Sequence, residues 1–236
     1  MSDPVRATLE DGQILAGQVR SIDVNLVTPL GNLAIPIGHI GEIEPIEGGQ
    51  LEDSHNHVKV WLRNGSELVG QWDNPELEFN LAVGDEWVEV DLPMDELERF
   101  QLRDRETWPK WGVFVVNTDF GDDFIVDANT TKFTLENDLG VFSPYLSECR
   151  SIEPLGDGSD QWQVNLNNGS TLRGTIAGNQ FLFTLPMGPE EISVPLVHVT
   201  SIQRQEWSEP TKRPASTGWF DNSSYRQQKR FKSLEP

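Results

Sequence analysis

Four aspartates, Asp119, Asp122, Asp123 and Asp127, crowd one short stretch of this chain. Carboxylates gathered in a loop can hold hard cations such as calcium. The spacing is not that of an EF-hand loop, and Phe120 and Phe124 interrupt it. The stretch reads as a solvated acidic turn. His55-Asn56-His57 with Asp53 could offer nitrogen ligands to a transition metal, but two histidines this close in a polar linker read as incidental. The single cysteine, Cys149, would need a base nearby to act as a nucleophile, and His39, His55, His57 and His198 are all distant in sequence. It reads as a small buried apolar residue. No G-x-S-x-G, P-loop or G-x-G-x-x-G segment is present. With 38 acidic residues, carboxylate pairs arise everywhere and single out no glycosidase-like pair. The chemistry-bearing residues therefore point to a chain without catalytic residues, metal or cofactor.

Charge narrows the partners. The net charge is −20. Phosphate-binding surfaces need clustered Lys and Arg, so nucleic acid is disfavoured for the chain as a whole. The segment 209–236 differs: Lys212, Arg213, Arg226, Lys229, Arg230 and Lys232 stand against Glu209, Asp221 and Glu235. Its net +3 leaves −23 on the remainder. Aromatic residues interleave with the basic ones, giving Trp219, Phe220, Tyr225, Arg226, Lys229, Arg230, Phe231 and Lys232 as a candidate partner-binding set. Aromatics supply anchors and basic groups supply steering, so the segment reads as a docking peptide in an otherwise irregular tail. Eight tryptophans, three of them (Trp61, Trp72, Trp87) close together, serve either core packing or an exposed face for a partner chain or sugar.

The elements that would position these residues recur along the chain. An alternating run such as Val5-Arg6-Ala7-Thr8-Leu9 has the period of a half-buried strand. Asp11-Gly12 then turns the chain back. A second glycine, Gly17, lies inside the returning strand, where the lack of a side chain marks a bend or a close backbone approach. The same five-residue spacing returns as Gly65 with Gly70 and as Gly169 with Gly174. A second hairpin follows each time, then Pro36, Pro93 or Pro195, one 3-10 turn, and a short fifth strand. These mark β repeats at 4–46, 57–102 and 161–204. A degenerate copy at 111–155 keeps Pro144 but trades its turn glycines for aspartates and phenylalanines. The short linker 156–160 suggests that repeats three and four pack together, with one against two across longer gaps, and the 209–236 tail follows the last.

Two hairpins, a 3-10 turn and a fifth strand resemble the SH3-like small barrel. Val5, Leu9, Asp11, Gly12, Gly17, Asp23, Asn25 and Leu26 are similar to the first motif of the Sm-like variety. The resemblance implies an all-β chain of four tandem repeats of about 45 residues, each a small barrel, packed together. A four-bladed propeller is the other all-β arrangement with this strand count. Sm-like proteins bind RNA, but the basic residue expected in their second motif is absent, the stretch here being Pro36-Ile37-Gly38-His39. A scaffold for protein–protein contact or oligomer assembly is therefore the leading expectation. An Sm-like nucleic-acid binder and a carbohydrate- or metal-binding module are the alternatives. The N-terminal stretch shows no signal-peptide pattern and no apolar run reaches membrane-spanning length, so a cytoplasmic chain is expected.

Overall fold

The computed structural model describes residues 5–21, 23–46, 57–74, 76–102, 113–156 and 160–205. All of them lie in one compact unit, Met1–Gln205. The fold is all-β, and no described helix is long and apolar enough to cross a membrane. The chain first runs through β1 (Val5–Leu9), β2 (Ile14–Val19), β3 (Asp23–Thr28), β4 (Gly31–Pro36), a 3-10 turn (Ile37–His39) and β5 (Ile40–Pro45). The order then recurs as β6 (His57–Leu62), β7 (Glu67–Trp72), β8 (Glu76–Val83), β9 (Glu86–Pro93), a 3-10 turn (Met94–Glu96) and β10 (Leu97–Gln101). Next come β11 (Phe114–Thr118), β12 (Asp123–Val126), β13 (Leu135–Asn137), β14 (Gly140–Phe142), a 3-10 turn (Leu146–Glu148) and β15 (Cys149–Pro154). Last are β16 (Gln161–Leu166), β17 (Thr171–Ile176), β18 (Gln180–Thr184), β19 (Glu191–Pro195), a 3-10 turn (Leu196–His198) and β20 (Val199–Arg204).

Local chemistry sets these boundaries. Gly12, Gly65 and Gly169 take φ of 86°, 88° and 86°, the left-handed region that closes a tight hairpin. Gly121 does the same at 91°, so the third series keeps its turn glycine, contrary to the sequence reading. Pro36, Pro93 and Pro195 precede their 3-10 turns with φ of −56°, −62° and −58°. The third series differs here too. Tyr145, not Pro144, stands before its turn, and the Tyr145 N–H donates to the Glu148 carboxylate at 2.8 Å.

The pairing is exchanged between neighbouring series. β2 pairs with β1 and then with β8, not with β3. Reciprocally, β7 pairs with β6 and then with β3. β1 also lies against β10, and β5 against β6. The two fifth strands meet at the centre, with Phe100 opposite Ile43. The second half repeats the scheme: β17 pairs with β13, β11 with β20, β15 with β16, and Ile152 meets Ile202 where β15 and β20 pair. All four of these central side chains are fully buried. The hairpin turns follow suit. Glu10 N–H donates to Glu96 O at 2.9 Å, Arg63 to His39 at 2.9 Å, Asp119 to His198 at 3.1 Å and Asn167 to Glu148 at 2.9 Å. Each first hairpin is thus tied to the 3-10 turn of the adjacent series. A barrel for each repeat separately is not what forms, and the described pairings close no ring of strands.

The strand glycines sit where the exchanged strands touch. A Cβ on Gly17 would lie 2.1 Å from Asn80 O, and one on Gly174 would lie 2.3 Å from Glu136 O. On Gly70 it would meet the Thr28 methyl at 2.7 Å. In register, Val5, Val58 and Trp162 stand opposite these glycines, and Phe114 stands opposite Val126. Val126 therefore occupies the glycine position of the third series. Correspondingly, β18 and β19 form a separate two-stranded sheet. Their link to β12 is the Asp127 N–H donating to Thr184 O at 2.8 Å. A side chain at this crossing keeps the strands from zipping together. Behind it, Phe124, Phe183, Phe181 and Trp162 fill the space in successive contacts of 6.0, 5.3 and 5.9 Å.

Candidate interaction surface

The surface that stands out is the β8–β9 hairpin. Its strands are 8 residues each, against 6 and 6 for β3 and β4. On one face Leu77, Phe79, Leu81 and Val83 alternate, opposite Leu92, Val90, Val88 and Glu86. The row begins in the core, with Leu77 and Phe79 buried. It then runs past the body, leaving Val88 and Val83 43% and 52% exposed. Trp87, on the opposite face across from Ala82, is 55% exposed. An inward-facing apolar row that outruns its core lacks the cover such rows require. Glu86 and the turn residue Asp85 end the row, Glu76, Glu78, Glu89 and Asp91 line the reverse face, and the hairpin holds no basic residue. Arg20 reaches two of them, Glu89 at 3.1 Å and Glu78 at 3.5 Å. Among the described pairings β9 bonds only to β8, so its outer edge is open.

A second built feature joins the two halves. Asp122 is 2% exposed, which corrects the reading of a solvated acidic turn at this residue, while Asp119 is exposed. Its carboxylate accepts from Val69 N–H at 2.8 Å and from the Thr118 hydroxyl at 3.0 Å. Burial pushes this carboxyl above its usual range, the two hydrogen bonds oppose the shift, and Asp119 adds to it. Beside it the Ser66 hydroxyl accepts from Ile125 N–H at 3.0 Å, and Asp123 pairs with Glu67 across β12 and β7. His39 Nδ1 accepts from Gly188 N–H at 3.1 Å. Sequence patterning missed this junction because its residues look like ordinary turn formers.

The other marked residues do not converge. Among the described residues no cluster of three or more His, Cys, Asp or Glu could hold a metal ion. Cys149 is buried, and burial followed by Glu148 pushes its thiol up to about 12, so it is inert at neutral pH. His198 Nδ1 lies 3.1 Å from Asp119 Oδ2, with Phe120 packed on its ring at 4.3 Å. An open groove of about 670 Å³ adjoins Asp119, lined also by Asp160, Trp162, Thr175, Leu196 and Val199. The Thr200 hydroxyl at its wall donates to Asn117 O at 3.0 Å. Trp72 and Trp162 are core residues, at 4% and 3% exposure. Trp219, Phe220, Tyr225, Arg226, Lys229, Arg230, Phe231 and Lys232, with the rest of 209–236, lie outside the described residues, as do His55 and the linker around it.

Protein-family models, curated proteins and solved structures contain no match to this chain.

Proposed function

We propose that this protein is a non-catalytic acidic β scaffold for protein–protein contact. The β8–β9 hairpin is its contact face, and the basic aromatic segment 209–236 is a docking peptide for a partner. In this reading the four series are SH3-like small-barrel units whose first hairpins are exchanged in pairs. The observation that carries it is the apolar row of Leu81, Val83 and Val88 projecting from the body, with Trp87, Glu89 and Asp91 exposed on the reverse face of the same hairpin. The partner that fits is an extended basic segment with apolar side chains at alternate positions. It would add to the open edge of β9, place apolar groups on the row and set Lys or Arg on the reverse face against Glu89 and Asp91.

The test titrates the full chain into a fluorescein-labelled peptide of residues 209–236, used as a basic aromatic probe. Saturable anisotropy is expected, weakening at least tenfold as salt rises from about 50 to 300 mM and lost in Val88→Glu, at an exposed position of the row. No anisotropy change at low salt refutes the reading. Steep salt-dependent RNA binding by the full chain would favour the Sm-like alternative instead.

A further inference from the structure

The β7–β12 junction shows what one particular strand edge binds, and the chain carries the same edge twice more. Alignment on the turn glycines makes Ser170, Thr171 and Arg173 of β17 the counterparts of Ser66, Glu67 and Val69. It likewise makes Gln13, Ile14 and Ala16 the counterparts of Asp122, Asp123 and Ile125. The Asn-Gly-Ser turn is identical in its two occurrences. Ser66 N–H donates to the Asn64 side chain at 3.0 Å, and Ser170 N–H donates to Asn168 at 2.9 Å.

Burial separates the two copies. Asn64 and Ser66 are 1% and 0% exposed beneath the third series, whereas Asn168 and Ser170 are exposed. On the complementary side Asp122 is buried, while Gln13, Ala16 and Ile14 (50% exposed) are open. The edges are free for the same reason. β2 pairs with β8 only over Gly17–Val19, and β17 pairs with β13 only at Thr175 and Ile176. Among the described pairings the first residues of both strands thus have a strand neighbour on one side alone, and on the other side the Asn137 side chain caps the Arg173 carbonyl at 2.9 Å and leaves its N–H open. By register the N–H groups of Ala16 and Arg173 face the open side, as those of Ile125 and Val69 face each other's strands.

We infer that β17 of one copy pairs with β2 of a second copy in the geometry of the β7–β12 junction, building a head-to-tail assembly. This rests on the scaffold reading and names its self-partner. The Ser170 hydroxyl would accept from Ala16 N–H of the neighbouring copy, and Ile14 would be covered opposite Thr171. Because the two faces differ, the contact is heterologous and the assembly leaves one face open at each end, so it can grow. Each chain carries −20, so like-charge repulsion opposes assembly and added salt should strengthen it. That is the opposite sign to the peptide contact at the β8–β9 hairpin.

Sedimentation velocity on the full chain tests this with Ile14→Lys and Thr171→Lys, both at exposed positions, checked for native circular dichroism. A strand-edge lysine opposes edge pairing. The wild type should exceed twice its 26.6 kDa as concentration and salt rise. Each variant alone should remain monomeric. An equimolar mixture should form a dimer and nothing larger, because each variant keeps the face the other lacks. A wild type that stays monomeric overturns the inference, as does assembly that survives either substitution or a mixture that stays monomeric. Peptide binding by Ile14→Lys, read by anisotropy, should equal that of the wild type, so loss of assembly and loss of peptide binding are read separately.

Discussion

Replacing Gly17 with alanine tests the crossing of β2 and β8. The added methyl would sit 2.1 Å from Asn80 O and 2.6 Å from the Phe79 ring. A carbonyl in a paired strand cannot rotate away, so the strands must part by about 1 Å to restore van der Waals contact. Three paired positions run through this crossing: Gly17 with Leu81, Gln18 with Asn80, and Val19 with Phe79. Phe79 is fully buried and meets Phe100 edge-on at 6.1 Å, so its displacement reaches the centre of the first half. Overpacking costs about 1–3 kcal/mol, and each ladder hydrogen bond lost adds about 1 kcal/mol. A loss of about 3–5 kcal/mol follows, read as a fall of about 1–2 M in the urea midpoint. Gly174→Ala, facing Glu136 O at 2.3 Å, should match it. Gly70→Ala meets a methyl first and should cost less, about 1–2 kcal/mol. Gly38 has open space around it, so Gly38→Ala should stay within about 0.5 kcal/mol. Equal stabilities for Gly17→Ala and Gly38→Ala would refute the crossing.

The junction and the core give further tests. Asp122 has a raised folded-state pKa, so the fold favours its protonated form. Its stabilising contribution is full below the unfolded value of 3.8 and is lost as pH rises through the raised folded value. Urea melts across mildly acidic pH should therefore show wild type losing stability relative to Asp122→Asn as pH rises, by no more than about 1.4 kcal/mol per pH unit. A flat difference would contradict this. Asp122→Ala strips acceptors from Val69 N–H and the Thr118 hydroxyl and should cost about 2–4 kcal/mol, read in the same melts at neutral pH. The Cys149 thiol should resist a disulfide reagent at pH 8 in the native protein and react at once in denaturant. Val126→Gly clears the third crossing but empties a buried site, so a net loss of about 2 kcal/mol is expected in thermal or urea melts.

Much of the fold was legible locally. Alternation placed the strands, Gly12, Gly65 and Gly169 placed the turns, and Pro36, Pro93 and Pro195 placed the 3-10 turns. The partner of each strand was not legible. Whether β2 adds to β3 or to β8 leaves every local pattern unchanged, because Leu26 and Phe79 are both apolar residues at the same position of a third strand. Gly17 signalled a close approach without saying to what. The proposed contact surface was half legible. Trp87 stood out by composition, but the exposure of Val83 and Val88 depends on how far the hairpin outruns the body. Asp122 was misread because solvated and buried carboxylates share one letter; its burial comes from Val69 and Ser66, more than 50 residues upstream in each case.

The exchange of hairpins is tested most directly by cross-strand Hα–Hα contacts in nuclear magnetic resonance. Three apolar pairs carry it: Val19 with Phe79, Trp72 with Leu26, and Ile176 with Leu135. Each adjoins a hydrogen-bonded rung (Arg20 N–H to Glu78 O, Asp73 to Asn25 and Ala177 to Thr134), so each is a close, non-hydrogen-bonded pair. Strong contacts are expected for all three. Contacts of Val19 with Leu26 and of Trp72 with Phe79 in their place would show each series folding on itself and would contradict the exchange.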